Sequence, residues 1–278
     1  MSREALVARA RGLSTRRAPA LAGPPSAVEE LLRARQTEDL AILRRWGGNA
    51  VAALELDEDR RTLRAIARGI VANASPVKRL FGAVPTSTLP PALLARVAEA
   101  ASFADVHALL ERHPLREAFD VDELFDVERA LPRLFVAQIR TRDLALRTYR
   151  TQIVDVENAQ AALALVVRGA NLDPLSIFLD GGARVDRAVF AAAAASRDTA
   201  RERLARVFEG TPIAAALFAA HPSAIEDAAL AWQLATQARL RRVEPLGLAP
   251  VIWLALHRRD EARNARAAAW SAALGGPS

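Results

Sequence analysis

Ala (62), Leu (37) and Arg (37) together supply 136 of the 278 residues. All three are among the strongest helix formers. Aromatic residues are only 5% and isoleucine is scarce, so the residue types that sheets favour are thin. Nothing alternates apolar and polar long enough to argue for a strand. The expected fold class is all-α. A chain of this length hides about three quarters of its unfolded surface and needs no disulfide or metal staple. It contains no cysteine, which excludes disulfides, thiolate zinc sites, iron–sulfur ligation and a cysteine nucleophile.

The formal net charge is +6, and Lys78 is the only lysine. The pI of about 11.0 therefore reports arginine's high pKa as much as any excess of positive charge. A modest cationic balance permits anionic partners such as acidic protein faces, lipid headgroups or nucleic acid. The plainer reading is arginine used in place of lysine on solvated faces. The longest uncharged stretch, residues 210–225, is broken by Pro212, His221 and Pro222, so no spanning helix is expected. Arg3, Glu4, Arg9 and Arg11 leave no secretory apolar core. The first 25 residues mimic an Arg-rich transit peptide, but fit a first helix better. The expected compartment is the cytoplasm, with membrane association only through a partner.

Helix punctuation recurs along the chain. Ser26 with Glu29, after Pro24-Pro25, and Ser223 with Glu226, after Pro222, read as capping boxes. Pro76, Pro90 and Pro174 suit a first helical turn, with Asp173 as a cap for the last. Ser102 and Ser196 open further helices. Breaks are expected at Gly47-Gly48, Val84-Pro85, Gly181-Gly182 and Gly247. From Val121 to Gly169 there is one proline, Pro132, and an apolar stripe of Leu131, Phe135, Ile139, Leu146, Tyr149 and Ile153. Its start is acidic and its later part basic (Arg140, Arg142, Arg147, Arg150), an order that suits a helix macrodipole. One or two long helices are expected here, broken near Val154. A shift of 94 residues places Ser102 on Ser196 and Leu110 on Leu204, a weak repeat of short helices. Three helical units are the simplest summary: 1–84, 85–180 and 181–278. A later helix in each starts near Asp57, Asp155 or Pro250.

Chemistry-bearing motifs are few. Lys78 follows Val77 rather than a glycine, so there is no P-loop, and no dinucleotide fingerprint or nucleophile elbow occurs. His107, His113, His221 and His257 lack metal-ligand spacing and read as surface or capping residues. Asp57-Glu58-Asp59 lacks a facing acidic cluster, and Arg60 and Arg61 follow at once; it reads as a solvated helix start. Arg258, Arg259, Arg263 and Arg266 lie on the last helix, opposite Val251, Leu254, Ala262, Ala265 and Ala269. Arg239, Arg241 and Arg242 close the helix before it. With Glu244, Asp260 and Glu261 interleaved, a salt-bridged solvated face comes first and a docking face for an acidic protein second. Nucleic-acid binding would want base-reading aromatics as well. No catalytic, cofactor or metal residue is expected.

Three segments carry a resemblance. VDVENAQAALALVVRG (154–169) is similar to the Asp-x-x-Asn helix of the C subunit of V-type (A-type) ATPases, the family of eukaryotic subunit d, through Asp155 and Asn158. EPLGLAPVIWLALHRRDEARNARA (244–267) resembles that family's closing element through Pro245, Gly247, Pro250, Val251, Ile252, Glu261, Asn264 and Arg266. ALVARARGLSTRR (5–17) is similar to its first helix through Ala8, Arg9 and Arg11. The resemblance implies a non-catalytic central-stalk subunit without cofactors, with three similar helical units in a pseudo-threefold, funnel-like arrangement. It would act as a socket linking the membrane proteolipid (rotor) ring to the central-shaft subunits. Torque for proton or sodium transport coupled to ATP would pass through it, at the cytoplasmic face of the membrane. Rival expectations are a helical scaffold or adaptor, or an Arg-rich nucleic-acid binder; on the family reading no nucleic acid is expected.

Overall fold

The computed structural model describes residues 2–16, 23–168, 173–221 and 223–275, with residues 49 and 50 in backbone only. Among them are fourteen α-helices, one 3-10 helix and no strand, so the protein is all-α as expected. Gly169, Pro222 and Arg17, used above, lie outside the described residues.

The chain forms two compact units, 1–139 with 244–278, and 140–243. The first holds α1 (Arg3–Ser14), α2 (Pro25–Gly47), α3 (Asn49–Val71), α4 (Pro76–Arg79), α5 (Pro91–Glu99) and α6 (Phe103–Leu109). A 3-10 helix (Arg116–Phe119), α7 (Leu124–Gln138) and, from the C-terminal segment, α14 (Ala249–Ala273) complete it. There α14 packs on α1 and α2, and α3 on α2 and α7. Val28 and Leu32 of α2 meet Ala262, Ala265 and Ala269 of α14, small side chains that let the two helices close up. The second unit holds α8 (Leu144–Arg168), α9 (Pro174–Ile177), α10 (Arg187–Ala194), α11 (Ala200–Val207), α12 (Pro212–Ala216) and α13 (Ala224–Val243). Its centre is α8, against which α10, α11 and α13 pack.

Local chemistry sets the boundaries. α2 and α3 meet at Gly48, whose φ of +48° turns the chain. α3 ends in a Schellman motif: Asn73 N–H donates to Ile70 O and Ala74 N–H to Gly69 O, with Asn73 at φ +49°. Ser102 caps α6 in a full capping box with Asp105. Asp173 caps α9 by accepting from Leu175 N–H. Pro76, Pro174 and Pro250 stand in first turns, whereas Pro90 is the extended N-cap of α5 and Pro91 takes the first helical position.

Several expected boundaries move. The long middle stripe is buried throughout, but its helix breaks at residues 139–143, not near Val154. Asp143 accepts from Leu146 N–H and so opens α8. Arg140 and Arg142 fall in that connection, so the acid-to-base order does not run along one dipole. Pro132 sits inside α7. Having no N–H, it leaves the Glu128 carbonyl without its helical donor, and Arg64 Nη2 donates to that carbonyl at 3.3 Å. Ser26 caps nothing; α2 opens on Pro24 and Pro25, and Glu29 is committed elsewhere. α11 is preceded by Thr199, not Ser196. Asp57 and Asp155 are mid-helix in α3 and α8 rather than at helix starts.

Candidate functional site

The arginines of α14 divide by environment. Arg258 and Arg259 are only 4% and 6% exposed, which corrects the solvated-face reading for both. Arg258 donates to Asp39 of α2 at 2.7 Å, to Glu261 at 2.6 Å and to the Leu13 carbonyl at the end of α1 at 2.7 Å. Burial pulls its pKa down, but the hydrogen-bonded carboxylates of Asp39 and Glu261 outweigh that and hold it above arginine's ordinary value. Arg259 reaches α3, where Nε donates to Glu58 and Nη2 to Asp57. Arg266 is partly buried and grips Glu29, whose other oxygen accepts from Gly82 N–H at 2.8 Å. Arg263 alone of the four is exposed. A helix can bury this many charges only because each has a geometrically matched partner. The result is a latch that ties α14 to α1, α2 and α3.

Asp57-Glu58-Asp59 is the other half of that latch and is not a solvated start: all three are buried. Arg60 donates twice to Asp57 Oδ1, at 3.0 and 2.9 Å, while Arg259 takes the other oxygen. Asp59 accepts from Thr86 Oγ1 at 2.6 Å, from Thr88 and from His113 Nε2 at 3.1 Å. His113 is therefore a buried residue rather than a surface one. Its Nδ1 accepts from Leu115 N–H, which leaves the ring proton on Nε2 to be donated to Asp59. Glu55 adds two bonds to Ser87. Together these clamp the 84–89 loop onto α3.

The second unit also holds a loop on a buried acid, but through backbone donors. Asp155, buried in α8, accepts at Oδ1 from the N–H groups of Ala183, Arg184 and Val185 at 2.9–3.0 Å. Burial raises its pKa above the ordinary carboxylate value, and the three backbone donors and Arg184 only partly counter this. Gly182 must be glycine because a Cβ there would stand 2.4 Å from Asp155 Oδ1. Asn158 exchanges two 2.9 Å hydrogen bonds with the Leu179 backbone. Asp59 and Asp155 are 96 positions apart, as are Pro91 and Arg187, the first residues of α5 and α10. This spacing differs from the shift of 94 read from the sequence, where Asp59 was read as part of a solvated helix start and His113 as a surface or capping residue. The acid followed by a Pro or Gly break was the signal available.

The closing element is drawn together around the start of α14. Gly247 N–H donates to Glu244 O, forming the turn, and Pro250 is buried in the first helical turn. Arg11 of α1 donates to the Pro245 carbonyl at 2.9 Å, and Arg9 lies 4.9 Å from the Trp46 ring centroid. Glu261 meets Arg258 and lies 3.7 Å from Arg35. Asn264 makes only a 3.3 Å bond to Asp260 on the surface. So Arg258 and Glu261 meet on α14, Pro245 and Gly247 shape the turn before it, and all four lie in the first unit, while Asp155 and Asn158 belong to the other.

Among the described residues no group of three or more His, Asp or Glu could hold a metal ion, and no helix is long and apolar enough to cross a membrane. A search of curated proteins finds no match to the chain. A family model described as "ATP synthase (C/AC39) subunit" matches residues 18–278. That span includes Asp155, Asn158 and the whole closing element, and begins after Ala8, Arg9 and Arg11. The chain belongs to the ATP synthase (C/AC39) subunit family.

Proposed function

We propose that this protein is a non-catalytic central-stalk part of a V-type (A-type) rotary ATPase. It serves as the socket between the central shaft and the proteolipid ring, at the cytoplasmic face of the membrane. Family membership over residues 18–278 is the observation that carries the reading. The physics of the chain supports it. A coupler must pass torque without yielding, which asks for a stiff body rather than a reactive group. The α14 latch and the Asp59 and Asp155 clamps supply such stiffness, because each fixes a helix or loop by several charge-assisted hydrogen bonds. A threefold internal repeat with units at 1–84, 85–180 and 181–278 is part of the reading, supported by the equal 96-residue spacing of Asp59 to Asp155 and of the starts of α5 and α10. Of the four α14 arginines, Arg263 is the one this proposal keeps at a docking face; Arg258 and Arg259 act by holding the body together.

The test is assembly. The purified chain, mixed with the shaft subunits of its own ATPase, is expected to co-elute with them as a stoichiometric complex in gel filtration. Separate elution at micromolar concentrations and low salt would remove the socket role.

A further inference from the structure

A single exposed apolar side chain is ordinary on a protein surface. Four of them gather where the turn after α4 meets the C-terminal end of α14. Phe81, Phe218 and Trp270 are the exposed aromatic side chains among the described residues. Two of these, Phe81 and Trp270, touch, with ring centroids 6.0 Å apart. Leu274 stands one turn beyond Trp270 on the same face of α14. Val77 stands one turn before Phe81, in α4. Leu274 and Val77 are 80% and 79% exposed.

The backbone that carries the rings is held in place. Phe81 N–H donates to Lys78 O and closes the turn, and Arg33 donates to the Leu80 carbonyl at 2.9 Å. Arg266 lies 5.9 Å from the Phe81 ring centroid while gripping Glu29. The two stretches that form the patch are free of acid: residues 60–98 and residues 262–278 contain no Asp or Glu, in a chain that has 32. Lys78, next to Val77, is exposed and has no ion pair among the described residues. Glu29 does reach the patch, but it is only 5% exposed and is committed to Arg266 and to Gly82 N–H. The patch therefore combines projecting apolar side chains with positive charge.

We propose that this patch docks directly on an anionic lipid surface, with Val77, Phe81, Trp270 and Leu274 entering the headgroup region. Val77 and Leu274 project instead of walling a groove, so they suit a soft partner that closes around them. Tryptophan favours the boundary between water and hydrocarbon, where its ring is buried and its N–H stays wet. Lys78 can lay its stem along the apolar surface and keep its ammonium among the phosphates. Anionic headgroups complement the local charge, whereas a second copy of the chain would set the same cations against each other. The contact adds to a membrane association that the sequence suggests only through a partner. It goes beyond the rotor reading, and its test uses no ATPase subunit, so either can fail alone.

The experiment is flotation of the full chain with vesicles made of equal parts phosphatidylcholine and phosphatidylglycerol. The bound fraction is expected to rise saturably, with half-saturation near about a millimolar of accessible lipid, weaker than a single acyl chain gives. Vesicles of phosphatidylcholine alone should bind at least about fivefold more weakly. The Val77→Ser/Leu274→Ser double variant should bind about tenfold more weakly, since burying one aliphatic side chain carries that much. Lys78→Gln should cost about fivefold. Val167→Ser, at a residue of the second unit that is 78% exposed, should bind as the parent does. These side chains are exposed, so all the variants should keep the parent melting temperature. No binding to the anionic vesicles at millimolar lipid would leave the patch to a protein partner and overturn the proposal. Equal binding to phosphatidylcholine alone, or parent-like binding by the double variant, would overturn it as well.

Discussion

The decisive side chains here are charged groups buried inside the body rather than displayed on it. Asp155 takes three backbone N–H groups at one oxygen. Asp155→Ala leaves those donors buried and unmet, so unfolding in urea should show a loss of about 3 kcal/mol. Binding to partner subunits should survive, because the site is internal. The pH dependence has a definite sign. Burial raises the folded pKa of Asp155 above its unfolded value of about 3.9. Its contribution to stability is therefore full below that value and is lost as pH rises through the folded pKa. The stability of the parent relative to Asp155→Asn should fall from about pH 4 upward and then level off. On α14, Arg259→Ala strips a buried cation from Asp57 and Glu58 and should cost about 3–5 kcal/mol. Arg263→Ala, on the exposed side, should cost under about 1 kcal/mol by the same urea measurement. Sequence alone placed all four α14 arginines on one helix but could not sort them. Periodicity reports which side chains share a face, not whether a facing carboxylate such as Asp39, 219 residues away in the chain, lets that face be buried.

Element boundaries were legible where a residue type has one backbone use. Gly48, Ser102, Asp173 and the first-turn prolines marked their helices because glycine, capping acceptors and proline each have a strong local preference. The connection at 139–143 was not legible, because Thr141 and Asp143 cap α8 inside a stretch without glycine or proline. Glycines also differ by position. Gly182→Ala forces a methyl group against Asp155 and should lower stability by about 2–3 kcal/mol while loosening the 183–185 loop. Gly12→Ala, at an exposed position of α1 with nothing near the added methyl group, should instead raise stability by about 0.5–1 kcal/mol. Thermal melts of the two variants read opposite signs from the same substitution.

At the scale of the molecule, residues 244–278 complete a unit begun by residues 1–139. Truncation after Val243 would leave Asp39, Asp57 and Glu58 without the arginines of α14. Calorimetry should then show the unit formed by residues 1–139 unfolding at a markedly lower temperature. The family, legible from the Asp155 and closing-element motifs, is confirmed across residues 18–278. The 96-residue spacing of Asp59 and Asp155 was not legible, since alanine-rich segments align almost equally well at neighbouring offsets. The claim on which the functional account stands is that this chain couples two machine halves and does no chemistry of its own. Ion transport and ATP hydrolysis should be followed together in vesicles holding the reconstituted ATPase, with and without this subunit. The account predicts that hydrolysis by the head persists when the subunit is left out, that transport stops, and that adding the purified chain restores it. Transport running at full rate in its absence would contradict the account.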